Sequence, residues 1–308
     1  MQGRAAAPGA GTVVNAIATG VGSAFALDIE TTAEVTLDPD AEGVEGTIAG
    51  APDGDTSLVE RCVEFAVAEY GADEGGTVRT ESDVPTAAGL KSSSAAANAA
   101  VLATLDALGL EVADDPDADV TGREACLVGV AAARDIGVTV TGAVDDAMAS
   151  MLGGVVVTDS ADDSLLAHDP FEREAVVWTP PARAYSADTD VERCRRVAPM
   201  ADLATELAMD GEYGRAMTVN GLAFSAALDF PTDPAVEAMP DCAGVTLSGT
   251  GPSMIAVGAP VPADGDAGGG ADVEGGADGG LERVRERWAR REGETRTLRT
   301  RNRGAVVR

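Results

Sequence analysis

The chain has 308 residues, of which 52 are acidic and 22 basic, so it carries a formal net charge of −30. This charge argues against nucleic acid as a partner, because nucleic-acid binding depends on lysine and arginine side chains that neutralise phosphates. An acidic chain with a single lysine is typical of a protein from a salt-rich cytoplasm, where dissolved ions screen the repulsion between carboxylates.

Cysteine and histidine are too sparse for two common kinds of site. The four cysteines are far apart, and His168 is the one histidine, so a Cys/His zinc site and a Ser-His-Asp triad are both disfavoured. Isolated thiols favour a reducing cytosol, and we expect His168 to lie in a loop. Residues 5–27 are uncharged but interrupted by glycines, which predicts a buried strand, a glycine loop and a short helix rather than a membrane span. We therefore expect a cytoplasmic protein with no membrane partner.

The first half of the chain predicts alternating strands and helices. Short apolar or alternating runs predict strands at 23–29, 32–38, near 44–49, 77–84 and 154–158. Helical spacing of apolar residues predicts helices at 56–70, 93–109 and 121–136. Hydrophobic residues form 45% of the chain but aromatic residues only 3%, so the cores must be built from alanine, valine and leucine.

The pattern changes beyond about residue 165, and we place a domain boundary near residue 168, which gives domains of residues 1–168 and 169–308. In the second domain, strands are predicted at 174–178, 244–248 and 253–258, and helices at 190–197, 199–210, 213–228 and 233–239.

The end of the chain combines two contrasting segments. Residues 261–280 are rich in glycine and acidic residues, which predicts a flexible insertion. The arginine-rich residues 281–308 carry a helical apolar stripe that ends at Trp288, and a closing strand is predicted at 295–300. We expect this segment to dock on the acidic body of the protein, and an arm that binds nucleic acid is the alternative.

Residues 85–100, PTAAGLKSSSAAANAA, contain the single lysine of the chain. They predict a loop of small residues followed by a helix that is capped by a serine of the run 92–94. The first amides of a helix lack partners and attract anions, and Lys91 adds a formal charge, so the segment predicts a phosphate-binding site. Leu90 stands where a P-loop requires glycine, which excludes that motif. A flexible turn that caps an ordinary helix is the alternative.

The same segment resembles a known motif. Pro85-x-x-x-Gly89-Leu90-x-Ser92-Ser93 is similar to the second motif of the GHMP kinases, a family that includes galactokinase and the kinases of homoserine and mevalonate. The form GLKSSS has lysine where most members have glycine, and it resembles most the archaeal shikimate kinases of that superfamily. Residues 3–29, 142–154 and 247–257 resemble further motif regions of the family, in the expected order.

The resemblance implies a fold and a reaction. The implied fold is α+β with two domains, of which the N-terminal one has a left-handed βαβ unit and the C-terminal one is ferredoxin-like. ATP would bind between the two domains. The implied reaction is transfer of a phosphoryl group from ATP to shikimate in the presence of Mg²⁺. A homo-oligomer is left open.

The resemblance also implies roles for particular residues. Asp145 matches the catalytic aspartate, Ser93 matches a serine that contacts the metal, and Asp135 is the positional candidate for an acidic metal ligand. Thr12 and Asn15 would line the acceptor site. The residues expected to hold ATP are Pro85, Thr86, Ala87, Ala88, Gly89, Leu90, Lys91, Ser92, Ser93, Ser94, Ala95, Ser248, Gly249, Thr250 and Gly251.

Several alternatives stay open at this point. Carboxylates at an exposed helix start would equally account for Asp145 and Asp146, and a solvated surface position would account for Asp135. The carboxylate of shikimate calls for a cation, best an arginine, and spacing does not choose among Arg4, Arg79, Arg183, Arg301 and Arg303. The alternative functions are a homoserine or mevalonate kinase and a non-catalytic nucleotide-binding relative.

Overall fold

The computed structural model describes residues 1–85, 87–115, 117–139, 142–182, 189–260 and 279–308. Thr86, Arg183 and most of the glycine-rich segment 261–280 lie outside the described residues. The nucleotide role of Thr86, the carboxylate role of Arg183 and the flexible insertion therefore stay predictions.

The described residues form eleven strands and nine α-helices, with a short 3₁₀ helix at Met239–Asp241. The strands are β1 Gln2–Val14, β2 Val21–Asp38, β3 Val44–Ile48, β4 Gly75–Ser82, β5 Val155–Asp159, β6 Ser164–Asp169, β7 Arg173–Thr179, β8 Gly244–Leu247, β9 Met254–Pro260, β10 Glu294–Arg299 and β11 Val306–Val307. The helices are α1 Ser57–Tyr70, α2 Ser92–Ala107, α3 Gly122–Asp135, α4 Val144–Leu152, α5 Val191–Arg195, α6 Ala198–Met209, α7 Tyr213–Ala227, α8 Asp233–Ala238 and α9 Gly280–Trp288. None of these helices is long and apolar enough to cross a lipid bilayer.

Strand β2 organises the first sheet, whose strand order is β11-β1-β2-β4-β3. The N-terminal part of β2 pairs with β5, its C-terminal part pairs with β4, and β1 runs antiparallel beside it. Strand β6 extends the sheet beyond β5. Strands β3 and β4 are parallel and are connected by α1, so they form the βαβ unit of the N-terminal half.

Helix α2 lies at the centre of the N-terminal half, where it packs against β1 and β2 and against α1, α3 and α4. Because it is buried on nearly all sides, its alanine-rich sequence allows close approach of its neighbours. A Cβ atom on Gly3 of β1 would lie only 2.1 Å from Ala103 O. This packing holds α2 in place, and the predicted phosphate loop directly precedes its first residue, Ser92.

The second sheet has the strand order β10-β7-β9-β8, and all its neighbouring strands are antiparallel. Helices α5 to α8 connect β7 to β8, and α9 connects β9 to β10. The two edge strands, β8 and β10, are the second and fourth strands of this sheet in chain order, and each is preceded by a helical connection. This is the βαββαβ arrangement of a ferredoxin-like unit. The two-sheet α+β architecture that the resemblance implied is thus present.

The boundary near residue 168 stays a prediction. Strand β6 ends at Asp169 in the first sheet, and β7 begins at Arg173 in the second. The C-terminal strand β11, however, pairs with β1 in the first sheet.

Three local predictions are wrong. The glycine loop and short helix expected within residues 5–27 are a strand, a turn and a second strand, and the strands expected at 23–29 and 32–38 are one continuous strand. The glycines of β1 serve close packing instead of turning the chain, since a Cβ on Gly11 would lie 2.5 Å from the Phe25 ring. His168 lies on β6 and contacts Gly153 O through Nε2 at 3.0 Å, so it is not in a loop.

The arginine-rich end of the chain docks on the body, as expected. Trp288 is fully buried in the core of the second sheet, and its Nε1 donates to Pro234 O at 3.1 Å. Arg283 and Arg287 both pair with Asp241. These contacts support intramolecular packing over an arm that binds nucleic acid.

The net charge of −30 predicts that folding depends on salt. The Debye length grows from about 3 Å at 1 M to about 10 Å at 0.1 M salt, so carboxylates repel one another over longer distances in dilute buffer. The surface ion pairs become stronger under the same change, but acidic residues outnumber basic ones too strongly for this gain to dominate. We expect the melting temperature, measured by circular dichroism, to fall when KCl is lowered from about 1 M to about 0.1 M. An unchanged melting temperature would contradict this expectation.

Candidate active site

The start of α2 is shaped by Lys91. This residue occupies the cap position with φ 63°, in the left-handed region, and the first intrahelical hydrogen bond runs from Ala95 N to Lys91 O at 3.0 Å. The prediction that a serine caps the helix is therefore wrong, because Ser92, Ser93 and Ser94 form its first turn and no side chain caps it. The amides of these three serines precede the first helical hydrogen bond, which is the arrangement that binds anions.

The loop before α2 is fastened on two sides. Leu90 O accepts a hydrogen bond from Ala10 N of β1 at 3.1 Å, and Gly89 O accepts one from Ser248 Oγ at 2.7 Å. A Cβ atom on Gly89 would lie 2.2 Å from Ser248 O, so only glycine allows this approach. The loop is therefore held between the first sheet and the turn that follows β8.

The turn after β8 is held by Thr12 and Asn15, the two residues predicted for the acceptor site. Gly249 N donates to Thr12 Oγ1 at 2.8 Å, and Asn15 Nδ2 donates to Gly249 O at 2.8 Å. Asn15 N donates to Asn220 Oδ1 of α7 at 2.9 Å. Thr12 and Asn15 thus hold the two halves of the protein together at the site. Asn220 is a third member of this contact, and no motif or spacing indicated it.

Helix α4 places two aspartates beside Lys91 at the start of α2. Asp145 is 4% exposed, and Asp146 forms an ion pair with Lys91, whose Nζ donates to Asp146 Oδ2 at 2.9 Å. Buried Asn98 of α2 donates to Ala147 O at 2.9 Å and so ties the two helices together. A Cβ on Gly22 would lie 2.6 Å from Asp145 Oδ2, so glycine at this point of β2 leaves room for the carboxylate.

Burial raises the pKa of Asp145 to about 7, and the negative charge of Asp146 adds to this effect. Lys91 acts in the opposite direction, since its positive charge favours the ionised carboxylate. A carboxyl group with such a pKa is ionised above about pH 7 and can accept a proton there. Asp145 is too deeply buried for the alternative in which it is an exposed carboxylate at a helix start.

Two cavities adjoin at Lys91 and Asp146. The larger has a volume of about 350 Å³, within the size range of small-ligand sites, and an apolar wall from α1 and α3. The smaller has about 60 Å³ and is lined by Thr12, Asn15 and Asp145 among others. The residues lining both are Lys91, Thr139, Ala143, Asp146, Gly249 and Thr250. The two cavities therefore meet at this junction.

The predicted nucleotide residues divide into two groups. Those that line the larger cavity are Ala87, Gly89, Lys91, Ser92, Ser93, Ser94, Gly249 and Thr250. Those that line neither cavity are Pro85, Ala88, Leu90, Ala95, Ser248 and Gly251. Of the second group, Ser248 and Leu90 support the loop through the hydrogen bonds given above. The larger cavity also includes Leu58, Gly129, Val130 and Ala133, which sequence reasoning missed.

Asp135 is not brought to the cleft. Its Oδ2 accepts a hydrogen bond from Arg61 Nε at 2.7 Å, its side chain is 45% exposed, and it lines neither cavity. This position fits the solvated-surface alternative. In the ranges that the structure describes, no group of three or more His, Cys, Asp or Glu side chains is arranged to hold a metal ion without other ligands.

The arginines considered for the acceptor carboxylate lie elsewhere, as far as they are described. Arg4 and Arg79 line a separate cavity on the first sheet, and Arg301 and Arg303 line another near the C-terminal strand. Among the described residues that line the two cavities of the cleft, Lys91 is the one cationic side chain.

The chain is similar to known proteins over most of its length. The family described as GHMP kinases N terminal domain matches residues 57–154, which include α2 and α4. The shikimate kinase of Halobacterium salinarum is 59% identical over 305 residues, covering 99% of each chain. The shikimate kinase of Methanosarcina mazei is 47% identical over 259 residues, covering 83% of this chain and 85% of that protein.

A solved structure supports the fold independently. The homoserine kinase of Cytophaga hutchinsonii superposes with a TM-score of 0.73 at 16% identity, covering 100% of this chain and 97% of that one. The fold is thus shared with this homoserine kinase, and the relatives of higher identity show that the chain is a small-molecule kinase. The chain belongs to the GHMP kinase family, and within it to the group of the archaeal shikimate kinases.

Proposed function

We propose that the protein transfers the γ-phosphoryl group of ATP to a hydroxyl of shikimate, giving 3-phosphoshikimate and ADP. The observation that carries the proposal is the 59% identity to a shikimate kinase over 99% of both chains. The reaction belongs to the route that leads to chorismate and the aromatic amino acids.

The larger cavity is the proposed site of ATP. The amides of Ser92 to Ser94 and the ammonium of Lys91 would bind its phosphates, since all four residues line this cavity. The apolar wall that α1 and α3 contribute suits an adenine base. Mg²⁺ bound to the phosphates would neutralise charge that develops during phosphoryl transfer. Ser93, which lines the cavity, would contact the metal through its hydroxyl.

Asp145 is the proposed base. It lines the smaller cavity beside the junction, where an acceptor hydroxyl would face the γ-phosphate. The hydroxyl oxygen forms a bond to phosphorus, the bond from phosphorus to the β–γ bridging oxygen breaks, and the hydroxyl proton passes to Asp145. Gly22 leaves room for this carboxylate, since the Cβ atom of any larger residue would displace it.

The acceptor is tested by measuring ADP release in concentrated KCl with shikimate, homoserine and mevalonate in turn. We expect turnover with shikimate that exceeds turnover with either other alcohol by at least about 100-fold, since a site that pairs polar groups of one substrate rejects analogues that lack them. Turnover of homoserine or mevalonate in place of shikimate would overturn the proposed acceptor. Nucleotide binding without turnover of any of the three would favour a non-catalytic relative.

The pKa of Asp145 predicts the pH dependence of the reaction. Because the buried carboxyl has a pKa of about 7, it is protonated and unable to accept a proton in more acidic buffer. We expect kcat/KM for shikimate to rise with pH up to about 7 and to level off above it. A profile that is flat from about pH 5 to pH 8 would contradict a base with this pKa.

A further inference from the structure

The ion pair between Lys91 and Asp146 lies inside the cleft and not on its surface. The side chains of Lys91 and Asp146 are 9% and 14% exposed, and both residues line both cavities. Most other ion pairs of the described residues involve much more exposed side chains. A nearly buried pair of this kind adds little stability by itself, because desolvation of the two charges offsets their attraction. The position of the pair, in the lining of both cavities, indicates a role in ligand binding.

One of the two carboxylate oxygens of Asp146 receives no hydrogen bond from the described residues. Its Oδ2 accepts the hydrogen bond from Lys91 Nζ at 2.9 Å. Its Oδ1 lies 2.8 Å from the same nitrogen but outside hydrogen-bond geometry, and no hydrogen bond reaches this buried oxygen from the described residues. The ammonium of Lys91 thus balances the charge of both oxygens, and within the described ranges Oδ1 has no hydrogen bond that a metal ion would have to break.

The cleft offers few carboxylates to a metal. Among the described residues that line the larger cavity, Asp146 is the one acidic residue, and Asp145 joins it only in the smaller cavity. Asp135, the candidate from sequence position, is held by Arg61 outside both cavities. A Mg²⁺ ion that is bound to a nucleotide needs only one or two protein carboxylates, with phosphate oxygens and waters as its other ligands.

We propose that Asp146 is the protein carboxylate that holds the nucleotide-bound Mg²⁺, and that Lys91 neutralises this carboxylate until the metal arrives. The inference rests on the proposed function as an ATP-dependent kinase, but it does not depend on which alcohol is phosphorylated. With Mg²⁺ beside Asp146, the ammonium of Lys91 would no longer be needed as the counter-ion and would be available at the junction of the two cavities. It can then bind phosphate oxygens without leaving Asp146 unpaired.

The test compares ADP binding with and without Mg²⁺, measured by calorimetry in concentrated KCl without any acceptor. For the unaltered protein we expect Mg²⁺ to tighten ADP binding. In Asp146→Asn this gain should fall by at least about tenfold, because loss of even an indirect metal contact costs that much. Metal-free ADP should bind Asp146→Asn as well as before or better, since Lys91 is free and a negative charge is gone.

Two further variants keep the test decisive. Asp135→Asn is the matched control, and we expect it to retain the full gain from Mg²⁺. Asp146→Glu keeps a carboxylate and should retain more of the gain than Asp146→Asn, even if both variants lose stability. The inference is overturned if Asp146→Asn retains the full gain, if Asp135→Asn loses it, or if the Asn and Glu variants lose it equally.

The result of the ADP titrations does not depend on which alcohol the protein phosphorylates. Shikimate is absent from the titrations, so failure of the protein to phosphorylate shikimate would leave them readable. Conversely, the unaltered protein could turn over shikimate while Asp146→Asn keeps the full gain in ADP affinity from Mg²⁺. That result would overturn the role of Asp146 and leave the proposed function intact.

Discussion

Replacing Asp145 with asparagine is expected to lower kcat with shikimate by about 100-fold to 10,000-fold, the range that a general base contributes. The amide has nearly the same shape as the carboxyl group, so it fits the space that Gly22 leaves and should keep the fold. Nucleotide affinity should change little, because Asp145 lines the smaller cavity and not the larger one. Steady-state kinetics and calorimetric titration with ADP measure the two effects separately.

Asp145→Asn should also stabilise the protein at neutral and alkaline pH. Burial raises the pKa of this carboxyl to about 7, so ionising it in the folded state costs free energy that the unfolded chain does not bear. The cost is absent below the unfolded pKa near 4, grows as pH rises, and is complete above about pH 7. The melting temperature of the variant should exceed that of the unaltered protein at pH 8, and the two should converge near pH 4.

Asp135→Asn is the control for both measurements. This carboxylate is exposed and pairs with Arg61, so its loss should leave kcat nearly unchanged and alter stability by no more than about 1 kcal/mol. If Asp145→Asn retained full activity, or if Asp135→Asn were as inactive, the assignment of the base would be wrong.

The second large effect is expected at Lys91. Lys91→Met should raise the dissociation constant for ATP by about 10-fold to 100-fold, as expected for loss of a charged hydrogen bond worth about 1.5–3 kcal/mol. The same change removes the counter-ion of Asp146, so some loss of stability is expected as well. Calorimetric titration with ATP and thermal melts report the two consequences.

Lys91→Gly separates the charge from the backbone. Both variants remove the ammonium group, but glycine adopts the left-handed conformation at φ 63° without strain, whereas methionine does not. We expect the two variants to bind ATP equally weakly, with the glycine variant the more stable of the two. Unaltered ATP affinity in both would show that the start of α2 is not the phosphate site.

Most elements could be predicted because their sequences carry strong local signals. Helices α1, α3 and α7 begin and end within one or two residues of the predicted bounds, since apolar residues recur at helical spacing along each of them. Strands β8 and β9 were likewise expected, as short apolar runs on either side of a glycine-rich turn.

The failures have a common physical cause, which is that long-range packing overrides local preference. Glycine is ordinarily a loop residue, but Gly3 and Gly11 of β1 are required by the approach of α2 and of Phe25. The serines after Lys91 are good caps by preference, yet Lys91 takes the cap position while its side chain reaches Asp146, 55 residues further along the chain.

The site was predictable in its parts but not in its contacts. The motifs indicated the loop before α2 and the aspartate on α4, and the structure brings both to one junction. Spacing could not indicate that Asn220 would accept a hydrogen bond from Asn15, because 205 residues separate them. For the same reason, spacing could not show that Asp135 would be held by Arg61, away from the cleft.

The most direct measurement is a crystal structure with a non-hydrolysable ATP analogue and shikimate bound together. We expect phosphate oxygens within hydrogen-bond distance of the Ser92 to Ser94 amides and Lys91 Nζ, with a shikimate hydroxyl between the γ-phosphate and Asp145. A nucleotide bound away from the start of α2, or shikimate bound out of reach of Asp145, would contradict it.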